Sequence, residues 1–283
     1  MNDSRVVLVT GCSSGIGHAT AGRLARSGWT VYATARRLDA MAGLAEAGCR
    51  LLRLDVTDDE SMRAAVEEIE RVEGTVDVLV NNAGYSLSGA IESVPLDEVR
   101  RQFETNVFGL VRLTQLVLPG MRAEGRGRIV NVSSMGGRLT FPGGGYYHAT
   151  KHAIEALSDA LRFEVRGFGI DVVVIQPGLI RTGFSDAAVG TIADRSDDPA
   201  GPYDVFNQAV AAATAGAYRN ALSRTLGGGP DLVARTIERA ITTKHPRTRY
   251  RVTGSARLFI VLRRLLPDRL WDGLVARTYP QPK

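Results

Sequence analysis

"RVVLVTGCSSGIGHATAGRLARSG" (residues 5–28) decides the fold, because it joins a strand to a helix through a glycine-rich turn. The stretch opens as a short apolar run, carries Gly11, Gly15 and Gly17 in the middle, and continues with helical spacing to Gly28. Glycines permit a tight turn and let backbone N–H groups approach a pyrophosphate at the start of a helix. The stretch therefore predicts a strand–turn–helix unit with an anion site at its turn.

The same alternation of strand and helix continues outward from this unit. Apolar runs follow at 30–35, 50–56, 76–84, 127–134 and 169–178, with helical patterns between them at 37–48, 58–74, 96–121 and 146–165. Further helical patterns lie at 205–222 and 230–241, and a last strand pattern at 247–254. Strands that are apolar throughout are typical of a parallel sheet covered on both faces. We therefore predict an α/β fold over residues 1–283, a single doubly wound domain with a seven-stranded, mostly parallel sheet and helices on both faces.

Two segments depart from the alternation. Residues 183–229 begin as a polar stretch punctuated by Gly and Pro, and an insertion there lies at the edge of the sheet where such folds bind ligands. We expect a substrate-loop or lid insertion, with an ordinary crossover as the alternative. Residues 255–283 predict a basic C-terminal helical extension that Pro267 divides. This extension is expected to cap the cleft, with a subunit interface or a membrane contact as alternatives.

Charge and composition exclude several classes of protein. The net charge is +5, and residues 244–283 contribute ten Lys or Arg against two Asp, so the remainder is net −3. The sequence contains no recognisable nucleic-acid module, and no apolar stretch reaches the roughly 18 residues of a spanning helix. Cys12 and Cys49 offer neither a disulfide framework nor metal-ligand spacing, so no metal is expected. With no apolar signal region at the start, a cytoplasmic location is expected.

The end of the second strand predicts the cofactor. It reads "ATARR" and places Arg36 and Arg37 where folds that bind NAD usually carry an acid, with none before Asp39. A guanidinium pairs with a 2′-phosphate that a carboxylate would repel, and Ser13 and Ser14 add hydroxyl donors. The expected cofactor is NADP(H).

A second stretch, "VSSMGGRLTFPGGGYYHATK" (residues 132–151), carries groups suited to proton transfer. Residues four apart share a helix face, so Lys151 lies beside Tyr147 rather than Tyr146. A nearby ammonium favours the phenolate, as a general acid/base near neutral pH requires. Tyr146 is then a wall of the substrate pocket or packing, and His148 is expected to be structural.

Adjacent serines on an extended strand end point to opposite sides, so only one of Ser133 and Ser134 can face a substrate. The residues alone leave open which of the two it is.

The motifs together resemble the short-chain dehydrogenase/reductase family. "TGCSSGIG" (10–17), "NNAG" (81–84), Asn106, the serine before "MGG", Tyr147 with Lys151, and "PGLIRT" (177–182) occur in the family's order across residues 5–183. "KHPRTRYRV" (244–252) resembles the branch with 17β-hydroxysteroid and retinol dehydrogenases. The resemblance implies a Rossmann fold and an enzyme that acts on CH–OH and C=O groups.

The resemblance also implies roles for particular residues. The family's serine stands thirteen residues before its tyrosine, which selects Ser134, and Asn106 would help to hold a proton-relay water near Lys151. Lys151 would also hold the nicotinamide ribose. The cofactor site would comprise Gly11, Ser13, Ser14, Gly15, Ile16, Gly17, Arg36, Asp55, Val56, Asn82, Ala83, Gly84, Tyr147, Lys151, Pro177, Gly178, Ile180 and Thr182.

These expectations define a reaction and a substrate class. Hydride from NADPH would reach a carbonyl carbon while Tyr147 protonates the oxygen and Ser134 stabilises its charge. Apolar walls favour a hydrophobic ketone, aldehyde or alcohol: Met135, Leu139, Phe141, Tyr146, Leu179 and Phe184. The family suggests a homodimer or homotetramer built on the fourth and fifth helices. The alternative function is an NADP-binding sensor without turnover, which the complete set of catalytic residues disfavours.

Overall fold

The structure is a computed structural model that describes residues 5–183, 201–219, 225–279 and 281. The strands are β1 (Val6–Val9), β2 (Thr30–Ala35), β3 (Arg50–Arg53), β4 (Val78–Asn81), β5 (Gly127–Val132), β6 (Ile170–Gln176) and β7 (Arg249–Arg251). The helices are α1 (Gly15–Arg26), α2 (Ala42–Glu46), α3 (Asp59–Glu73), α4 (Leu96–Phe103), α5 (Gly109–Ala123), α6 (Gly145–Val165), α7 (Asp204–Arg219), α8 (Pro230–Thr242), α9 (Gly254–Leu265) and α10 (Asp268–Val275).

The seven strands form one sheet in the order β3-β2-β1-β4-β5-β6-β7. Each of these pairings is parallel, so the predicted sheet is confirmed and carries no antiparallel edge. The chain order reverses between β1 and β4, and a crevice opens at such a reversal beside the carboxyl ends of the strands. The fold therefore places its ligand site where the glycine-rich turn after β1 meets the end of β4.

Alternate strand residues enter two separate hydrophobic cores, because successive side chains of a strand point to opposite faces. Val7 and Val9 of β1 pack with α1, α2 and α8 on one face. Val6 and Leu8 pack with α3 and α5 on the other. Helices thus cover both faces, which explains why the strands read as continuous apolar runs.

Two predicted helices are divided in the structure, and over residues 37–48 a 3-10 turn (Asp39–Met41) precedes the short α2. Residues 96–121 were expected to form one helix, but the structure divides them into α4, a π-helical turn over Glu104–Phe108, and α5. The turn widens where Asn106 makes two bonds to the Tyr85 backbone, with Nδ2 donating to the carbonyl at 2.9 Å and Oδ1 accepting from the N–H at 3.0 Å. Just beyond it, a Cβ on Gly109 would lie 2.2 Å from the Val56 carbonyl oxygen. Contacts with distant segments impose this break, and such π turns recur at functional sites.

The C-terminal extension folds back onto the body of the protein. As predicted, Pro267 separates two helices, and it stands at the N-cap of α10. Trp271 of α10 is buried with Ile260 of α9 and with Leu139, which belongs to the segment after β5. Within the ranges that the structure describes, no helix is long and apolar enough to cross a lipid bilayer.

Candidate active site

A cleft of about 1440 Å³ lies along the carboxyl edge of the sheet. Its walls come from the turn after β1 and from the ends of β2, β4, β5 and β6, together with parts of α6, α7 and α10. All but one of the predicted cofactor residues line this cleft. The lining residues are Gly11, Ser13, Ser14, Gly15, Ile16, Arg36, Asp55, Val56, Asn82, Ala83, Gly84, Tyr147, Lys151, Pro177, Gly178, Ile180 and Thr182. The exception is Gly17, which is buried beneath the turn.

Hydrogen bonds from β4 hold the glycine-rich turn in place. The hydroxyl of Thr10 accepts from the N–H groups of Asn82 and Ala83, each at 3.0 Å. The Asn82 amide in turn donates to the carbonyls of Thr10, at 2.9 Å, and Gly11, at 3.2 Å. These reciprocal bonds fix the turn before any ligand arrives.

Close approach explains why the turn needs glycine. A Cβ on Gly17 would lie 2.3 Å from the Gly11 carbonyl oxygen, and Gly11 itself has a φ of +71°. At the N-terminus of α1, the side chain of Ser14 makes no capping hydrogen bond. The first N–H groups of the helix therefore do not donate to their N-cap side chain. This cradle of backbone without side chains fits a pyrophosphate.

The two arginines at the end of β2 differ in their surroundings. Arg37 is exposed and paired with Asp39, with Nη2 and Oδ2 3.0 Å apart. Arg36 lines the cleft and makes no ion pair with any residue in the described ranges. A cation available at this point of the cleft fits a 2′-phosphate.

The start of α6 brings Lys151 and Tyr147 together as the helical spacing predicts. The Nζ of Lys151 lies 5.7 Å from the centroid of the Tyr147 ring and donates to the Val132 carbonyl at 2.9 Å. Burial lowers the pKa of Lys151 to about 8, although the Glu155 carboxylate opposes this shift. A lysine with this pKa remains mostly protonated at neutral pH and places a positive charge beside the phenol.

The two serines after β5 lie in different environments. Ser133 is 3% exposed, and a Cβ on Gly137 would lie 2.7 Å from its hydroxyl oxygen, which has no hydrogen-bond partner among the described residues. Ser134 is partly exposed at the cleft, and its hydroxyl accepts from the Gly136 N–H at 3.0 Å. Of the two, Ser134 is therefore the serine whose hydroxyl a substrate can reach.

His148 lines the cleft but is mostly buried behind Ser134. Its ring is 8% exposed, and its Nδ1 donates to the Gly136 carbonyl at 3.1 Å. A Cβ on Gly136 would lie 2.4 Å from Nδ1, and one on Gly144 would lie 2.8 Å from Nε2, so the ring fits between two bare backbone segments. Burial lowers the pKa of His148 to about 4, so the ring is neutral at physiological pH.

Asn106 connects the π turn to α6. Its Nδ2 also donates to the hydroxyl of Thr150 at 3.1 Å. A Cβ on Gly84 would lie 3.0 Å from the Asn106 Oδ1 and 3.9 Å from the Lys151 Nζ. Asn106 and Lys151 therefore face the same glycine from two helices.

The expected substrate residues divide into three groups. Met135, Phe141 and Leu179 line the cleft. Leu139 and Tyr146 do not: Leu139 is buried with Trp271, and the hydroxyl of Tyr146 donates to the Ile91 carbonyl while its ring packs beside α4. Phe184 lies outside the described residues, as does much of the predicted lid.

The structure adds cleft residues that the motifs did not reveal. Ten of them come from α7 and from α10 with the segment after it: Val210, Ala213, Thr214, Gly216, Ala217, Trp271, Leu274, Val275, Thr278 and Tyr279. The only sequence signal was helical spacing of small and apolar residues far from the motifs. Among the described residues, no cluster of His, Cys, Asp or Glu is suited to a metal ion.

The fold is that of a known family of oxidoreductases. Residues 5–191 match the family model for short chain dehydrogenase, so the chain is a member of the short-chain dehydrogenase/reductase family. It is similar to 3-ketodihydrosphingosine reductase of Bacteroides thetaiotaomicron, with 44% identity over 64% of this chain and 66% of the relative. NADPH-dependent 3-dehydrocapnine reductase of Ornithobacterium rhinotracheale is 34% identical over 95% of each chain. The 17-beta-hydroxysteroid dehydrogenase type 6 of Bos taurus is 33% identical over 98% of this chain and 90% of its own.

Solved structures show the same architecture. A short-chain dehydrogenase from Streptomyces avermitilis superposes with a TM-score of 0.74 at 33% identity, covering 97% of this chain and 95% of that one. The closed form of serine dehydrogenase complexed with NADP+ has a TM-score of 0.75 at 28% identity, covering 88% and 94%. The predicted family and enzyme class are thereby confirmed.

The environment of His148 predicts how stability depends on pH. Its folded pKa of about 4 lies below the ordinary 6.5, so between these values the unfolded chain binds a proton that the folded chain does not. The unfolding free energy should therefore fall with decreasing pH across this window, by at most about 1.4 kcal/mol per pH unit. His148→Asn keeps an N–H donor for the Gly136 carbonyl but does not titrate. Its unfolding free energy should therefore lack the part of the pH dependence that His148 contributes.

Urea unfolding at several pH values measures the difference between wild type and His148→Asn. The control is His148→Leu, which leaves the Gly136 carbonyl unpaired and should cost about 1–3 kcal/mol at neutral pH. Identical pH dependence in wild type and His148→Asn would contradict the assignment of a buried neutral ring.

Proposed function

We propose that this protein is an NADP(H)-dependent oxidoreductase that interconverts a hydrophobic ketone or aldehyde and its alcohol. The observation that carries the proposal is the buried Lys151 ammonium beside the Tyr147 ring, in the cleft that also holds Ser134. Relatives named for the reduction of 3-ketodihydrosphingosine and 3-dehydrocapnine support a carbonyl substrate.

The glycine-rich turn and Arg36 would hold the cofactor, which supplies the hydride when it is bound. Backbone N–H groups at the start of α1 would bind the pyrophosphate, and Arg36 would bind the 2′-phosphate. A relative named as NADPH-dependent and a structural neighbour complexed with NADP+ support this choice. Lys151 would donate to the nicotinamide ribose.

Tyr147 would donate a proton to the carbonyl oxygen during reduction and accept one from the alcohol during oxidation. Lys151 favours this exchange because its positive charge stabilises the phenolate that proton donation leaves behind. Ser134 would donate a hydrogen bond to the same substrate oxygen, which concentrates stabilisation where negative charge develops. Asn106, which faces Gly84 together with Lys151, would help to position a relay water.

An apolar enclosure supports a hydrophobic substrate. Phe141 and Trp271 face each other with ring centroids 5.8 Å apart, and Met135 packs against the same cluster. Helix α7 closes another side of the cleft and is attached to the body of the protein through Asn207, whose Oδ1 accepts from the Ala90 N–H at 3.2 Å. We propose that α7 acts as the lid, because it covers the cleft at the edge where ligands enter.

The adjacent tyrosines provide a matched test of the proton donor. Tyr147→Phe removes the proton donor and should lower kcat/KM about 10²–10⁴-fold without changing NADPH affinity. Tyr146→Phe removes a hydroxyl that binds the Ile91 carbonyl beside α4 and should keep near wild-type turnover. The assay follows NADPH oxidation with a panel of steroid, retinoid, aryl and aliphatic carbonyls. Retained activity in Tyr147→Phe, or an equal loss in both variants, would contradict the assignment.

The adjacent arginines test the choice of cofactor in the same way. Arg36→Ala should weaken NADPH binding about 10–100-fold, the effect of losing a charge-assisted hydrogen bond, and should leave NADH binding unchanged. Arg37→Ala removes an exposed arginine that is already paired with Asp39 and should change neither affinity. Fluorescence titration of the wild type and the two variants with both nucleotides measures the six dissociation constants. Equal affinity of the wild type for NADH and NADPH would disprove the NADP preference.

A further inference from the structure

The outward faces of α9 and α10 carry a concentration of exposed aliphatic side chains. Of the fourteen large apolar side chains that are exposed in the described part of the chain, five lie on these two helices: Leu258, Val261, Leu265, Leu270 and Leu274. We call these five side chains the leucine surface. Contiguous exposed apolar surface on a protein marks an interaction site more often than chance exposure does.

Helix α9 is two-sided. Leu258, Val261 and Leu265 stand at positions i, i+3 and i+7 and therefore share one side of the helix. Leu265 is 73% exposed, whereas Ala256 and Ile260 on the inner side are 0% and 5% exposed. The inner side packs on the body of the protein, so the outer leucines are not needed for that contact.

Helix α10 repeats this arrangement at the rim of the cleft. Leu270 and Leu274 lie one turn apart and are 61% and 37% exposed, whereas Trp271 is buried at 5%. Leu274 also lines the cleft. The leucine surface therefore reaches the opening through which a substrate would enter.

Four exposed arginines lie next to the leucine surface along the chain: Arg257, Arg264 and Arg269 each precede one of its leucines, and Arg277 follows Leu274 by three residues. Arg264, Arg269 and Arg277 make no ion pair with a carboxylate in the described ranges. Arg263 is different, because its Nη2 lies 2.6 Å from the Asp268 carboxylate. These three arginines thus carry positive charge that no carboxylate in the described part of the protein neutralises.

A neighbouring depression extends the positive region. This cavity of about 1000 Å³ beside α9 and α10 is lined by basic side chains: Arg138, His152, Arg251, Arg263 and Arg264. One carboxylate, Asp272, lies in the same depression. With Arg263 paired to Asp268, three arginines, Arg138, Arg251 and Arg264, still stand against this one carboxylate, which favours an anionic partner on this side of the molecule.

We propose that the leucine surface docks the protein on an anionic lipid bilayer, with α9 and α10 lying in the interface rather than crossing it. Aliphatic side chains bordered by arginines match the apolar boundary and the acidic head groups of such a surface. A second copy of the chain would bring arginines against arginines, which is unfavourable. A nucleic acid would offer phosphates to the arginines, but it would not bury the five aliphatic side chains in apolar surroundings.

Docking would also orient the cleft. Because Leu274 belongs to both the leucine surface and the cleft wall, an apolar carbonyl compound dissolved in the bilayer reaches the cleft without crossing water. This second part rests on the proposed function. The docking itself does not, and it is measured without cofactor or substrate.

Vesicle co-sedimentation of the full-length protein tests the docking. We expect binding to phosphatidylcholine vesicles that contain phosphatidylglycerol, much weaker binding to phosphatidylcholine alone, and weaker binding as salt increases. Leu265→Gln combined with Leu270→Gln should reduce partitioning about tenfold or more. Arg264→Gln and Arg269→Gln should each reduce it about fivefold on anionic vesicles, as expected for loss of one interfacial charge.

The control is Val72→Gln on α3, where the side chain is 47% exposed, like that of Leu258. It should bind as wild type does, and all variants should keep the wild-type thermal midpoint because the changed side chains are exposed. Absence of binding to anionic vesicles would overturn the proposal. Normal vesicle binding by the double leucine variant would also overturn it. If that variant lost only self-association, measured by sedimentation velocity, the surface would instead be a contact with a second copy of the chain.

Discussion

The site depends on one buried cation. The Nζ of Lys151 lies in the interior between β5 and α6, where it donates to the Val132 carbonyl. One helical turn later, the Glu155 carboxylate supplies the opposing charge. Glu155 is itself held by Arg249 of β7, at 2.9 Å, and by Gln176 of β6, at 2.8 Å. Burying an ammonium is costly unless charge and hydrogen bonds compensate it, so the edge of the sheet must supply this network.

The rest of the cleft is arranged around that cation. Parallel strands end at one edge, which brings the glycine-rich turn, Ser134 and Lys151 together although they are far apart in sequence. Gly84 leaves room for Lys151 and Asn106 because it carries no side chain. His148 holds the backbone behind Ser134 through its bond to the Gly136 carbonyl. The order of the strands and the local contacts of Gly84 and His148 therefore place these groups together in one part of the cleft.

The sequence predicted what depends on local spacing. The order of strands and helices, and the placement of Lys151 beside Tyr147, follow from strand and helix periodicity, which neighbouring residues determine. The π turn at Asn106 could not be predicted, because it depends on contacts with the distant Tyr85. The burial of Trp271 against the cleft arises in the same way from tertiary packing. An apolar residue near a motif can also face away from the cleft, as Leu139 does, and the sequence does not indicate this.

The most direct test of this account is the pKa of Lys151 measured in the folded protein. The chain has three lysines, Lys151, Lys244 and Lys283, so labelling the lysine side chains with carbon-13 should give three signals to follow by NMR as the pH is raised. The account predicts that one signal titrates near pH 8, as the buried ammonium requires, and that Lys151→Arg removes that signal. The absence of any signal that titrates near pH 8, or the persistence of that signal in Lys151→Arg, would contradict the account, because Lys151 would then not be the buried ammonium described.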